Sequence, residues 1–290
     1  MNDIHLLPLF KWTGGKRREI KILKEFFPNF VSHHQQYDFV EPFAGGAAVY
    51  WYLNNVDGGN RINDYDEELV NFYAMMREQD DEFITPILQA SALYSSEYSN
   101  HDKQEENYYY WRNLDKDNGL DNLSQQKRAA RFWIVNQLSF SGMRRFNSKG
   151  EFNVPYGHYK NLNSNNITSQ AHVNLLKKTI ITHGDYLSTL DVSDNENTFI
   201  FLDPPYTRVM KKYSSDNEFT EKDHINLRNK LLSMEHASWM LVINQSDFIE
   251  ELYNGYISQI YSLKYGLNIR NRFDTDVHHL IISNYLPAIG

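Results

Sequence analysis

Short apolar runs alternate with amphipathic segments along most of this chain. Four runs have the length and the β-branched or aromatic content of buried strands, and they cover residues 37–41, 179–186, 198–202 and 239–244. A fifth strand is predicted at 61–63. Segments with apolar residues at helical spacing lie between them, and two further apolar segments, 256–264 and 278–285, are predicted to form a closing hairpin. Strands that alternate with helices predict an α/β domain with a mainly parallel sheet.

A long helical region interrupts this alternation. Apolar residues recur at helical spacing near both ends of the stretch 67–138, and its polar, Tyr-rich middle indicates an inserted helical domain. Residues 139–160 then form a glycine-punctuated segment rich in arginine and aromatic residues. That mixture is typical of a nucleic-acid contact, where arginine reads guanine and aromatic rings wedge or stack. A surface hairpin with incidental arginines is the alternative.

Composition limits the choice of partners and cofactors. The 290 residues carry a formal net charge of -8, which argues against a nucleic-acid partner. The stretch from 127 to 160 has the opposite balance, because it contains seven basic residues and one acidic residue. The chain has no cysteine, so disulfides and thiolate metal sites are excluded. No apolar run approaches the roughly 20 residues of a membrane span, and we therefore expect a cytoplasmic protein without a membrane partner.

The tetrapeptide Asp203-Pro204-Pro205-Tyr206 follows the strand 198–202 directly. Ligands of open α/β sheets bind at the carboxyl ends of strands. The prolines favour an extended backbone, which would turn the Asp203 carboxylate and the Pro204 carbonyl toward one cleft. Two adjacent acceptors suit the exocyclic amine of a nucleobase, and Tyr206 offers a ring for the base to stack on. The alternative is an ordinary proline-rich turn after a core strand.

A second candidate site follows the strand 37–41. Gly45-Gly46-Ala47 forms a tight turn before a predicted helix that ends near Leu53, and its small residues permit close approach of a cofactor. The spacing differs from the dinucleotide fingerprint, so NAD is disfavoured. Asp64 stands about 20 residues further on, where an acid would bind ribose hydroxyls. A solvated aspartate at a strand end is the alternative.

In this order the motifs resemble those of the Dam-like α group (D12 class) of N6-adenine DNA methyltransferases. The resemblance covers nearly the whole chain. It rests on Lys-Trp-x-Gly-Gly-Lys at 11–16, Phe-Val-Glu-Pro-Phe at 39–43, Asn-Asp at 63–64, Asn-Val-Pro-x-Gly-x-Tyr at 153–159, Gly-Asp-Tyr at 184–186, and Asp-Pro-Pro-Tyr at 203–206.

The resemblance implies a Rossmann-like S-adenosylmethionine-dependent sheet and assigns roles by position. The implied binding residues for S-adenosyl-L-methionine are Trp12, Lys16, Glu41, Phe43, Gly45, Asp64, Asp185, Tyr186 and Asp203, and the implied catalytic residues are Asp203, Pro204, Pro205 and Tyr206. The implied DNA contacts are Lys11, Phe140, Ser141, Met143, Arg145 and Pro155, with Arg145 reading a base.

The implied domains are a catalytic part, 1–54 and 168–290, and a mainly helical target-recognition part, about 55–167, with a hairpin at 139–160; Asp64, in the adjoining strand segment 55–67, also serves the catalytic part. We expect a monomer in solution that methylates flipped adenine in double-stranded DNA without a metal, with GATC as the leading site. The alternatives are RNA adenine methylation and a catalytically silent DNA-binding regulator. Two positions depart from the family pattern: Ala47 replaces a glycine, and Ser141-Gly142 replaces the usual Asn-Gly.

Overall fold

The computed structural model describes residues 5–94, 100–205, 219–263 and 277–287. Seven strands form one sheet, and their order in the sheet is β3-β2-β1-β4-β5-β7-β6. The strands are β1 (Asp38–Glu41), β2 (Asn60–Asp64), β3 (Thr179–His183), β4 (Thr198–Leu202), β5 (Ser238–Asn244), β6 (Ile257–Leu263) and β7 (Val277–Ser283).

The direction of the strands confirms the predicted α/β fold. β1 pairs in parallel with both β2 and β4, and β4 pairs in parallel with β5. β7 is antiparallel to β5 on one side and to β6 on the other, so β6 and β7 form the predicted closing hairpin. Because β1 and β4 are parallel, their carboxyl ends, and with them Glu41 and Asp203, lie at the same edge of the sheet.

The described residues also contain eleven α-helices. They are α1 (Ile20–Leu23), α2 (Asn29–Ser32), α3 (Ala48–Leu53), α4 (Glu67–Glu78), α5 (Asp81–Ala92), α6 (His101–Arg112), α7 (Gln125–Leu138), α8 (Gln170–Lys177), α9 (Tyr186–Asp191), α10 (Glu221–Leu232) and α11 (Asp247–Leu252). Short 3₁₀ segments cover Lys16–Arg18, Lys24–Phe26, Asn113–Asn122 and Phe140–Gly142. Within the described ranges, none of the helices has the length and apolar character that crossing a membrane requires.

The chain divides into two compact units. The first comprises Met1–Arg18, Gly45–Val56 and Asn63–Gly184, and the second comprises Glu19–Ala44, Asp57–Ile62 and Asp185–Gly290. These units follow from packing alone. The predicted division into a catalytic part and a target-recognition part is a division by function, and it stays a prediction.

Each unit has its own core. In the first unit, α4 and α7 bring Phe72 and Phe132 against Phe10, with ring centroids 5.2 and 5.5 Å from that of Phe10. In the second unit, all five residues of β4 are buried, and Leu227 and Leu231 of α10 belong to the same apolar cluster as β4 and β5. β4 thus provides a rigid support for the residues that follow it.

Candidate active site

The turn that precedes α3 requires glycine at one position. Gly45 has a φ of +46°, in the left-handed region, and a Cβ there would lie 2.5 Å from Nε1 of Trp12. The Gly45 carbonyl accepts a 2.7 Å hydrogen bond from the Tyr73 hydroxyl. Any side chain at position 45 would displace the Trp12 ring, so the turn and the tryptophan fit each other only with glycine present.

Asp64, the last residue of β2, closes this turn. One carboxylate oxygen accepts a 2.8 Å bond from the amide of Gly45, and the other accepts a 3.0 Å bond from the amide of Asp66. Burial raises the pKa of Asp64, and these two amides oppose the rise. A carboxylate has about four acceptor positions, so two remain for hydroxyl groups of a ligand. The predicted role of Asp64 at a ribose is compatible with this geometry.

Ala47, the first departure from the family pattern, keeps an unusual backbone. Its φ of 50° and ψ of 44° are left-handed, and it is the N-cap residue of α3. Alanine disfavours this conformation by roughly 1–2 kcal/mol. The expectation that the cofactor is still bound with alanine at this position stays a prediction.

Lys16 ends the Lys-Trp-x-Gly-Gly-Lys segment at 11–16 and is almost fully buried. Its ammonium donates a 3.0 Å hydrogen bond to the carbonyl of Gly14. A lysine is seldom buried without polar partners, because a buried charge is costly unless it is hydrogen-bonded. Its predicted contact with the cofactor stays a prediction, as does that of Trp12.

Within the second unit, two of the predicted cofactor residues are aromatic and lie side by side. The Phe43 ring lies 4.9 Å from that of Tyr186, and Phe219 contacts both. Burial, together with the Asp185 and Asp223 carboxylates, raises the pKa of Tyr186 to about 12. Its hydroxyl is therefore neutral at physiological pH. Phe43 and Tyr186 form an apolar surface of the kind against which a nucleoside base packs.

Two predicted cofactor residues in this unit are acids with different surroundings. Glu41 ends β1 and is 3% exposed, whereas Asp185 is exposed and accepts a 2.9 Å hydrogen bond from the amide of Leu187. Asp185 is thus the N-cap of α9. A capping role alone accounts for an aspartate at this position, so its predicted contact with the cofactor stays a prediction.

The predicted catalytic motif begins immediately after β4. Asp203 is half-buried, Pro204 is buried and Pro205 is exposed. Tyr206 lies outside the described residues. Within the ranges that the structure describes, no group of three or more histidine, aspartate or glutamate side chains is arranged to hold a metal ion.

The predicted hairpin is present and presents its predicted DNA contacts to solvent. Bridges between Ser139 and Tyr156 and between Phe146 and Phe152 hold its two sides together. The predicted contacts that are exposed are Phe140, Ser141, Met143, Arg145 and Pro155. The contacts of these residues with DNA stay predictions.

Arg145 is oriented by the opposite side of the hairpin. Its Nε donates to the side-chain oxygen of Asn153 at 2.8 Å, and one terminal nitrogen donates to the Asn153 carbonyl at 3.0 Å. The asparagine of the Asn-Val-Pro motif therefore holds the guanidinium in one orientation. The role of Arg145 in reading a base stays a prediction.

Buried polar contacts with α6, α7 and the Asn113–Asn122 segment hold the hairpin in place, and they were not predicted from the sequence. Arg131 and Asp115 form a buried ion pair at 2.7 Å, and the same Asp115 oxygen accepts a 2.7 Å bond from the Phe152 amide. The Tyr108 hydroxyl donates to the Val154 carbonyl at 2.8 Å. Sequence spacing gave no signal for this pairing, because α6, the Asn113–Asn122 segment and α7 must pack before these groups meet.

These contacts also correct the simple count of basic residues. Of the seven basic residues between 127 and 160, Arg131 is buried against Asp115, Arg128 pairs with Glu67 and Glu68, and Arg144 pairs with Asp66. The count overestimated the positive charge that this region presents to a phosphate backbone. Arg145 has no carboxylate within salt-bridge distance among the described residues.

Lys11, another predicted DNA contact, already makes contacts with other residues of the chain. Its ammonium donates to the Gln137 carbonyl at 2.7 Å and lies 3.5 Å from the centre of the Tyr159 ring. The Asn136 side chain also holds both backbone groups of Lys11. Lys11 is thus placed at the base of the hairpin, and an ammonium still has two further protons to donate.

The chain combines a mainly parallel α/β sheet with candidate sites at two strand ends, and comparison with known proteins gives its family. The family model described as D12 class N6 adenine-specific DNA methyltransferase matches residues 12–269. The chain therefore belongs to this family, its methyl donor is S-adenosylmethionine, and its substrate is DNA. The predicted family, fold class and cofactor are confirmed.

Individual relatives agree with this membership. The chain is 32% identical to the Type II methyltransferase M.CviBI of Paramecium bursaria Chlorella virus NC1A, over 96% of this chain and 99% of that protein. It is 31% identical to M1.LlaDCHI of Lactococcus lactis subsp. cremoris, over 88% and 87% of the two chains. It is 29% identical to M.MjaIII of Methanocaldococcus jannaschii, over 96% and 99%. The latter two are also named Type II methyltransferases.

Proposed function

We propose that this protein methylates N6 of adenine at a specific site in double-stranded DNA after flipping the base out of the duplex. The observation that carries this proposal is the position of Asp203 and Pro204 immediately after a fully buried parallel strand. Half-burial of Asp203 strengthens any hydrogen bond that its carboxylate accepts from a base. A base within a duplex cannot reach such a site, so extrusion is required.

The proposed chemistry needs only acceptors and orientation from the protein. The Asp203 carboxylate and the Pro204 carbonyl accept the two N–H bonds of the adenine amine, which draws the nitrogen toward a tetrahedral shape and directs its lone pair outward. Pro205 keeps the backbone extended, and Tyr206 stacks on the base. S-adenosylmethionine supplies an electrophilic methyl group on a positively charged sulfur. The new N–C bond replaces the S–C bond, and the displaced amine proton leaves through Asp203 or water.

We assign the cofactor-binding residues by the family resemblance. Gly45 and Asp64 have the most direct structural support, because the turn accepts no side chain at position 45 and Asp64 keeps acceptor positions for ribose hydroxyls. Phe43 and Tyr186 provide the apolar surface. The remaining proposed binding residues are Trp12, Lys16, Glu41, Asp185 and Asp203.

For the target, GATC is the leading candidate by family resemblance. Arg145 carries a planar donor fork that matches O6 and N7 of guanine, and its exposure on the hairpin supports a role in reading a guanine beside the adenine. Lys11, Phe140, Ser141, Met143 and Pro155 are the other proposed contacts. The relatives named Type II methyltransferases favour a partner endonuclease over an orphan enzyme. We propose that the enzyme acts as a monomer.

Transfer of a labelled methyl group from S-adenosylmethionine tests this function. Duplex DNA, single-stranded DNA and duplex RNA of one sequence are incubated with the wild type and with Asp203→Ala, then digested to nucleosides. The expected product is N6-methyldeoxyadenosine from duplex DNA with the wild type only. Preferential labelling of RNA would support an RNA methyltransferase, and DNA binding without any labelling would support the silent regulator.

A further inference from the structure

Arg144, the residue before the proposed base reader, has surroundings unlike those of Arg145. Its guanidinium lies 5.1 Å from the centre of the Trp12 ring and 5.3 Å from that of Phe132. Its side chain is 25% exposed, and Phe146 covers it at 5.9 Å. Arg144 therefore points back into the first unit. A cation held over aromatic faces within about 6 Å is attracted to them, most strongly to tryptophan.

Arg144 also forms an ion pair with Asp66, and Asp66 in turn contacts both α4 and Asp64. One carboxylate oxygen of Asp66 caps α4 by accepting a 3.1 Å bond from the Leu69 amide, while the other pairs with Arg144. The backbone amide of Asp66 donates to the Asp64 carboxylate. The hairpin is thus connected through a single side chain to the acid that is proposed to bind the cofactor.

The second route from Arg144 leads to the glycine turn. The Trp12 ring beneath its guanidinium is the ring that excludes any Cβ at Gly45, and the Gly45 amide donates to the second oxygen of Asp64. The ion pair and the ring contact therefore both lead to one hydrogen-bonded cluster formed by Gly45, Asp64 and Asp66. Displacement of Arg144 would remove the ion pair with Asp66 and the contact with the Trp12 ring at the same time.

We propose that Arg144 is a positioning residue that couples the placement of the recognition hairpin to the cofactor turn, so that DNA and S-adenosylmethionine affect each other's affinity. This inference rests on the proposed function, because it takes Gly45 and Asp64 as cofactor residues and the hairpin as the DNA contact. By linkage, any increase that DNA causes in cofactor affinity must equal the increase that the cofactor causes in DNA affinity.

Calorimetric titration of S-adenosylmethionine, with and without a duplex that carries the methylated site, tests the coupling. Arg144→Ala should weaken cofactor binding by about 5- to 30-fold and should remove the effect of DNA on it, a range typical of coupling between sites. In steady-state assays KM for the cofactor should rise while kcat stays within about twofold. Arg144→Lys keeps the charge and should recover much of the affinity.

Asp66→Asn provides a second variant that keeps the cap. Asparagine caps a helix as well as aspartate does, so α4 should be undisturbed while the ion pair is lost. This variant should reproduce the cofactor defect of Arg144→Ala in kind, and the double variant should be no worse than the Arg144 single variant. Arg128→Ala is the matched control, because it removes an arginine paired with Glu67 and Glu68 at the start of the same helix without touching Trp12.

Cofactor affinity within twofold of the wild type in a folded Arg144→Ala protein would overturn the inference, as would an equal loss in Arg128→Ala. Wild-type cofactor affinity that does not respond to the duplex would also overturn it. If Arg144→Ala does not fold, Asp66→Asn decides the question alone. Failure of the proposed function is distinguishable, because in that case the wild type itself transfers no methyl group to the duplex.

Discussion

The carboxyl end of β4 and the hairpin at 139–160 carry their proposed roles in different ways. At β4, a fully buried strand fixes the backbone, and the acid follows directly. In the hairpin, the backbone is irregular and depends on buried polar contacts from α6 and α7, while the side chains that would meet DNA are exposed. The proposed chemistry is therefore placed at the end of a buried strand, whereas the proposed contacts with the target are exposed side chains of an irregular segment.

The largest effect should come from the strand end. Asp203→Ala removes the acceptor proposed for the adenine amine and should lower the rate of methyl transfer by at least about 10²-fold. Circular dichroism and DNA binding should be unchanged, because Asp203 follows the strand and is not part of its buried core. A variant that keeps more than a few per cent of the wild-type rate would remove Asp203 from the mechanism.

The anchor beneath the hairpin should give the largest effect on stability. Asp115→Ala leaves the Arg131 charge buried and the Phe152 amide without its acceptor, so the free energy of unfolding should fall by about 3–5 kcal/mol. Chemical denaturation measures this loss. Asp121→Ala, which removes an exposed acid from the same 3₁₀ segment, is the control and should change stability by less than about 0.5 kcal/mol. Equal effects would show that the anchor has no special role.

Cofactor affinity should depend on Asp64. Loss of its charge-assisted bonds in Asp64→Ala should cost about 1.5–3 kcal/mol of binding free energy for S-adenosylmethionine. Calorimetry provides the value, and Asp57→Ala, which changes an exposed acid just before β2, is the control. An unchanged affinity would leave Asp64 as a structural residue of the turn.

The same carboxylate predicts a pH dependence. Only the ionised form accepts hydrogen bonds at both oxygens, and burial raises the pKa of Asp64. As the pH falls, cofactor affinity should therefore decline at a higher pH than the value of about 3.9 for an ordinary aspartate would give. Titrations of the wild type and of Asp64→Asn at a series of pH values should show this decline in the wild type alone.

The hairpin should affect the choice of site more than the rate. Arg145→Ala should cost about 1–3 kcal/mol of binding to the cognate duplex and relax preference at one base pair. Arg145→Lys is the informative companion, since lysine keeps the charge but loses the planar fork. Binding to duplexes that differ at the guanine separates the two. If lysine restores full discrimination, Arg145 contacts a phosphate instead of a base.

The smallest effect concerns the turn at the start of this hairpin. Ser141 has a left-handed φ of 56° and is followed by Gly142 at 63°. Asparagine tolerates this conformation better than serine, so Ser141→Asn should raise the free energy of unfolding by a few tenths of a kcal/mol. Thermal denaturation would reveal it. A loss of stability would mean that the serine is preferred for a contact.

The same contrast explains how far the sequence could be interpreted. The strand ends could be predicted because buried strands have a clear apolar pattern and because proline and glycine mark the turns after them, as at Pro204 and Gly45. The closing hairpin of β6 and β7 was predicted, but the insertion of β7 between β5 and β6 was not. Strand order depends on pairing between distant segments, which periodicity does not encode.

The partners of individual side chains were the hardest feature to predict from the sequence. Arg131 and Arg145 look alike in the sequence, yet one is buried in an ion pair and the other is exposed on the hairpin. Only the packing of α6 and α7 separates them. The roles proposed for Arg145 and its neighbours came from resemblance to a family, whereas the role of Asp203 was also argued from its own position.

Mapping of N6-methyladenine tests the central claim most directly. Plasmid DNA from methylation-deficient cells that express the wild type or Asp203→Ala is sequenced by a method that detects the modified base. With the wild type we expect N6-methyladenine at one short motif that contains G-A, with GATC as the leading candidate, and with the variant we expect none. A motif without GATC would correct the target alone, whereas the absence of N6-methyladenine from wild-type plasmids would contradict the proposed function.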